Sequence, residues 1–142
     1  MECEMPLINS NEDEMREIFQ SVKTIAILGL SPDESKASNM VAKYLQNAGY
    51  KIVPVYPKED EILGEKVYRS LAEIPFEVDM VDIFRKPKAF DAVADACIAR
   101  GDIKVFWGQL GLVNNEAAQK AKDAGMTVVQ NYCTKLEHKA LM

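Results

Sequence analysis

Residues Thr24–Asn39 read TIAILGLSPDESKASN, and this stretch decides the fold. The apolar run Ile25–Leu28 is short and uninterrupted, the pattern of a strand buried on both faces. Gly29 breaks the run, a polar loop carrying Ser31, Pro32 and Lys36 follows, and Ser38-Asn39 offers N-cap chemistry for a helix. A strand, a glycine turn, a polar loop and a capped helix are what α/β folds use to build an anion site. The glycine admits close approach of backbone to ligand, and the free N–H groups at the positive end of the helix face the charge. The three-glycine dinucleotide fingerprint is absent, so the segment also fits an ordinary strand–helix connection.

The same alternation continues outward. Upstream, Ser10 or Asn11 can cap a helix whose Met15, Ile18, Phe19 and Val22 recur at helical spacing. Downstream, Met40, Val41, Tyr44, Leu45 and Ala48 form an apolar stripe, and Gly49 stops it. Lys51–Val55 reads as a second strand, and KEDEILGEKVYR as surface loop. Ser70–Glu73 matches a capping box and predicts a short helix. Val78–Phe84 is a third strand, with Pro87 suited to open the helix that buries Phe90, Val93, Ala94, Cys97 and Ile98. Ile103–Trp107 is a fourth strand, followed by Gly108-Gln109-Leu110-Gly111. Asn114 or Asn115 then caps an alanine-faced helix, and Met126–Val129 is the fifth strand. The tail through Cys133 and His138 suits a last short turn or helix.

Strands alternating with amphipathic helices predict right-handed crossovers and a parallel sheet covered on both faces. The expected architecture is therefore α/β, a Rossmann-like doubly wound sheet of five strands in the order 3-2-1-4-5. It forms one domain over residues 1–142, with an N-terminal helix within 1–21 and the core over 22–138. In that order the crevice opens between the loops after the first and fourth strands, Gly29–Ser38 and Gly108–Asn114, with Arg85 and Lys86 at the same edge.

Composition bounds the partners. A chain of 142 residues with 48% hydrophobic content can bury a sizeable core. No apolar run approaches the roughly 20 residues a membrane span needs. The acidic N-terminus lacks a basic n-region and an apolar h-region, which leaves a cytoplasmic location as the expectation and no membrane partner. Cys3, Cys97 and Cys133 are too widely spaced for a disulfide framework or a zinc site, so no metal is expected. The net charge of −5 argues against nucleic acid, though a local basic cluster can still hold a small anion.

The second strand helps select the ligand. An NAD site usually places an Asp or Glu there to grip the ribose hydroxyls, whereas this chain has Pro54-Val55-Tyr56-Pro57 and then Lys58. A basic residue at that edge suits a ribose phosphate, as in coenzyme A or NADP. A phospho-acceptor site of clustered carboxylates is excluded, because the first strand ends in Gly29.

The blocks AILGLSPDESKASNMVAKYL, IVPVYP, ILGEKVYRSL, VDMVDIFRKP, FWGQLG and YCTKLEH occur in this order. Together they resemble the small stand-alone CoA-binding proteins, which are similar in turn to the CoA-binding domain of the succinyl-CoA synthetase alpha subunit. The resemblance spans about Val22 to His138 and implies a domain that binds coenzyme A or an acyl-CoA, with no protein partner specified. It implies that Gly29, Leu30, Ser31, Lys36, Ser38 and Asn39 hold the phosphates, and that Pro57 and Lys58 flank the adenosine end. Phe84, Arg85 and Pro87 would sit beside adenine or pantetheine, and Trp107, Gly108, Gln109 and Gly111 would line the other wall.

The chain departs from the synthetase in lacking the second domain that carries its catalytic histidine, and the second threonine–glycine pair of its loop. The expected function is therefore binding without catalysis. An NADP-dependent oxidoreductase or redox sensor is one alternative. A thiol enzyme using Cys133 with His138 as its base is another. Against the latter stands the plainer reading of a small buried cysteine and a surface histidine. Cys97 belongs to a helix's apolar face, and Trp107 is either core or a stacking platform. Lys104, Lys120 and Lys122 read as solvated charge.

Overall fold

The computed structural model describes residues 5–142; Cys3 lies outside them. Strands β1 (Thr24–Leu28), β2 (Lys51–Val55), β5 (Met80–Ile83), β6 (Val105–Gly108) and β7 (Thr127–Val129) form one parallel sheet. A small antiparallel hairpin, β3 (Glu61–Ile62) with β4 (Glu65–Lys66), interrupts the connection from β2 to β5. Helices α1 (Glu12–Ser21), α2 (Ala37–Asn47) and α5 (Thr134–Leu141) cover one face, and α3 (Phe90–Arg100) and α4 (Asn115–Asp123) the other.

Period-two alternation sorts the core between the faces. Ile25 and Ile27 of β1 join Met80, Trp107 and Val129 against Met15 and Phe19 of α1 and Val41 and Leu45 of α2. Ala26 and Leu28 point the other way, to Val81, Ile83, Phe106 and the α3–α4 residues Phe90, Val93, Ala117 and Ala121. Four of the five β1 side chains are buried, which is why this strand carries no polar alternation.

The chain folds into a Rossmann-like five-stranded parallel sheet. Its order is β2-β1-β5-β6-β7, so the third sheet strand lies between the first and fourth, where 3-2-1-4-5 would place it outside the second. Pro54 gives the physical reason. A proline cannot donate to a ladder, so it is confined to an edge strand. Its carbonyl accepts from Tyr68 N–H at 3.0 Å, on the side away from β1. Among the described residues no further strand of the sheet pairs with that outer edge of β2, which meets Tyr68 at a bridge to Val55. With β2 on the edge, β5 pairs directly with β1, Ile25 to Met80 through Leu28 to Ile83. The point where the winding reverses is therefore between β1 and β5. The crevice moves with it, one strand closer than expected.

Local details differ in similarly explicable ways. Asn11 caps α1 and shares a full capping box with Glu14. Ser70 makes no side-chain cap, and Leu71–Glu73 is a single 3-10 turn. Arg100, at the end of α3, fixes that segment: it donates to the carbonyls of Leu71, Ile74 and Phe76 and pairs with Asp102 at 2.7 Å. Pro87 opens a 3-10 turn, Pro87–Ala89, that leads into α3. The tail is a helix, α5, with Cys133 as its N-cap.

Candidate functional site

Leu28, Val55 and Ile83 all end at the same edge of the sheet, and the loop after β1 starts there. Gly29 donates to Val55 O at 2.9 Å, and Phe84 donates to Leu28 O at 2.9 Å, so the end of β1 is held from both sides. Gly29 has φ +93°, and a Cβ on it would lie 3.1 Å from the Phe84 carbonyl oxygen and 3.6 Å from Arg85 Cγ. Glycine is required here by backbone conformation and by the close approach of the β5 tip. The structure thus brings together the Gly29 loop and the Phe84–Pro87 turn.

Beyond Gly29, Leu30 is fully buried, so its side chain anchors the loop in the core. Ser31 is then gripped by the helix that follows. Its N–H donates to Ser38 Oγ at 3.0 Å, and its carbonyl accepts from Asn39 Nδ2 at 2.9 Å. Ser38 and Asn39 therefore do not cap α2. They are the second and third residues of a helix whose N-cap is Lys36, and both are buried. Their polar atoms shape the loop, which leaves the first N–H groups of α2 without side-chain caps. The Asp33 carboxylate is spent locally on the N–H and hydroxyl of Ser35, which hold it below its usual range. Lys36 stands exposed beside the loop.

On the opposite face, at the same sheet edge, a cleft of about 170 Å³ lies between Leu28, Val55, Leu71, Ala92 and Val93. Arg85 and Arg69 also line it. Arg69 was not singled out from sequence; its only signal was its place in the block ILGEKVYRSL. Its guanidinium donates to the carbonyls of Tyr56, Lys58 and Glu59 at 2.8–3.1 Å, which pins the turn after β2. Glu59 in that turn has φ +68°, a conformation that a non-glycine residue adopts only when held. Pro57 and Lys58 are exposed on this turn. Larger clefts, two of about 550 Å³ and one of about 290 Å³, lie elsewhere, and the one at the start of α1 is lined by Glu12, Asp13 and Glu137 against a single Arg16, a poor setting for phosphates.

The wall after β6 is built differently from expectation. Trp107 is fully buried, and its indole N–H donates to Tyr132 O at 2.8 Å, so it is a core residue. A Cβ on Gly108 would meet Phe90 Cε2 at 2.8 Å, so this glycine serves packing. Gln109 is also buried and turned inward: its Nε2 donates to Thr134 Oγ1 at 2.9 Å and to Asp82 Oδ1. Only Gly111 of this set is exposed; its N–H donates to Asn131 Oδ1 at 2.7 Å.

Cys133 is the extended N-cap of α5, and His138 lies within the helix. His138 Nδ1 is hydrogen-bonded to Tyr44 Oη at 2.8 Å, and its ring sits edge-on among Phe19, Tyr44 and Tyr50. Burial holds its pKa below the usual value. Burial likewise pushes the Cys97 thiol up to about 12. Among the described residues, no group of three or more His, Cys, Asp or Glu side chains could hold a metal ion, and no helix is long and apolar enough to cross a membrane.

This arrangement has relatives. The chain is 44% identical to the uncharacterized protein YneT of Bacillus subtilis, over 92% of this chain and 96% of that protein. A hypothetical protein from Pyrococcus horikoshii superposes with a TM-score of 0.90 at 40% identity, over 99% of each chain. The alpha subunit of acetate–CoA ligase (ADP-forming) I from Pyrococcus furiosus is 35% identical over 75% of this chain, which spans only 26% of that subunit. Residues 23–139 match the CoA binding domain family, and this chain belongs to it.

Proposed function

We propose that the chain binds coenzyme A or an acyl-CoA across the β1–β5 switch point and does no acyl chemistry by itself. The observation that carries this is the Gly29–Asn39 loop, in a chain of the CoA binding domain family, with uncapped N–H groups of α2 beside the glycine. The diphosphate lies at the start of α2, beside Lys36, where N–H groups without side-chain caps and the positive helix end favour an anion. The adenosine end enters the 170 Å³ cleft, with Arg85 and Lys58 available to the 3′-phosphate and Arg69 holding the turn that carries Lys58. The pantetheine arm runs toward Gly111. Trp107 and Gln109, which are buried, support that wall from beneath. With His138 committed to Tyr44, this reading assigns acyl transfer to another protein.

The test is to identify what small molecule copurifies with the protein, by mass spectrometry after denaturation, and to measure CoA affinity of Lys36→Glu and Arg85→Glu. Recovery of CoA or an acyl-CoA is expected. Each charge reversal should cost about 1–3 kcal/mol of binding at low salt, less as salt screens the contact. Unchanged affinity in both variants would overturn the phosphate placement.

A further inference from the structure

Asp82 is the penultimate residue of β5, fully buried directly beneath the switch point. Its side chain is the centre of a closed polar junction. Asp82 Oδ1 accepts from Gln109 Nε2, Oδ2 accepts from Thr134 Oγ1 at 2.8 Å, and Gln109 Nε2 reaches Thr134 as well. The three residues come from β5, the loop after β6 and the first position of α5. One carboxyl therefore fastens together three elements that meet under the crevice.

No cation accompanies it among the described residues. Its register partners are Ile27 on β1 and Trp107 on β6. On α5 it meets Thr134, flanked by Cys133 and Lys135, while His138 one turn on is bonded to Tyr44. The nearest cation in sequence, Arg85, lines the cleft on the opposite face. A carboxylate enclosed in this way is costly, because burial disfavours the charged form, and burial pushes Asp82 up to about 7 despite the two donors.

The two protonation states demand different hydrogen bonds. Ionised, the carboxyl only accepts, which is the pattern seen. Protonated, it must donate once, so either Thr134 Oγ1 turns its hydrogen away or Gln109 presents Oε1 in place of Nε2. Gln109 belongs to the loop that walls the crevice.

We infer that Asp82 is a positioning residue for that wall, and that a polyanion in the crevice and a proton on Asp82 bind together. The inference rests on the CoA reading. Phosphates bound above the switch point repel the ionised carboxyl and favour the neutral one. By reciprocity the neutral form binds the polyanion better, so affinity falls as pH rises through the Asp82 titration.

The experiment is calorimetric titration of CoA into wild type and Asp82→Asn from about pH 6 to about pH 8, in buffers of different ionisation enthalpy. The comparison cancels titration of the ligand's own phosphate. Wild type should lose roughly threefold or more affinity beyond the loss in Asp82→Asn, and should take up a fraction of a proton that the variant does not. Thr134→Val, which leaves the carboxyl but removes one donor, should move the transition to higher pH. Superimposable pH profiles and equal proton uptake in wild type and Asp82→Asn would overturn the inference. Absence of CoA binding in wild type at every pH would instead refute the proposed function. In that case, carboxyl infrared bands of ligand-free protein, compared between wild type and Asp82→Asn, would still show whether Asp82 titrates near neutrality, and a band that shows it ionised throughout would count against the junction.

Discussion

Replacing Gly29 by alanine probes the switch point with one methyl group. At φ +93° the backbone lies outside the left-handed well near +57° that L residues occasionally use, so the side chain imposes strain of about 1–3 kcal/mol. The new Cβ also meets the Phe84 carbonyl oxygen at 3.1 Å, a backbone atom that can yield only by moving the β5 tip. A total near 2–3 kcal/mol is expected. Against an ordinary stability of about 5–15 kcal/mol, the variant stays folded at room temperature. Binding should suffer more than folding, because both ways of relieving the contact move a wall of the crevice. At least a tenfold loss of CoA affinity, about 1.4 kcal/mol, is expected. Urea denaturation followed by circular dichroism gives the first number and calorimetry the second; Gly29→Val should exaggerate both. A stability change under about 0.5 kcal/mol together with unaltered affinity would refute the reasoning.

Gly108→Ala drives a methyl into the Phe90 ring at 2.8 Å and toward Leu112 O at 3.2 Å, and overpacking of this kind should cost about 1–3 kcal/mol in denaturation experiments. Arg100→Ala strips the carbonyls of Leu71, Ile74 and Phe76 of a shared donor and leaves Asp102 with the Val78 N–H but no ion-pair partner, and should cost about 2–4 kcal/mol, with faster hydrogen exchange over residues 70–78 as the local signature. Asp82 has a raised folded-state pKa, about 7 against 3.8, so the folded state holds this proton more tightly than the unfolded chain. Its contribution to stability is therefore complete below about pH 4 and is lost as pH rises toward 7, by something on the order of 4 kcal/mol. Asp82→Asn should lack that slope, so its stability relative to wild type should improve from pH 4 to pH 8. Parallel stability curves would contradict the assignment.

The period-two and helical patterns were legible because local sequence carries them: all five sheet strands and the Asn11 and Asn114 caps lie where the residues indicated. The strand order differs from 3-2-1-4-5 because the alternation of elements does not say which strand is at the edge; Pro54 is the residue that marks β2 as one, and with β2 there the crevice lies between β1 and β5. Ser38 and Asn39 have cap chemistry but use it within the first turn of the helix, to fold the preceding loop back on itself. Their residue types alone do not distinguish the two uses. Trp107 at a strand end resembled a stacking platform, and only the packing of α1 over it, with Phe19 at 5.5 Å between ring centroids, shows it as core. The Asp82–Gln109–Thr134 junction joins residues separated by 52, 27 and 25 positions. No local period announces such contacts, which exist only once the topology brings three elements to one point.

We propose that this crevice recognises coenzyme A. Calorimetric titration of ligand-stripped protein with CoA, dephospho-CoA, NAD and NADP at low salt tests it most directly. CoA should bind tightest, dephospho-CoA more weakly because the basic residues at the β2 edge lose the 3′-phosphate, and NAD well behind both. Binding of NADP with no binding of CoA would contradict the account.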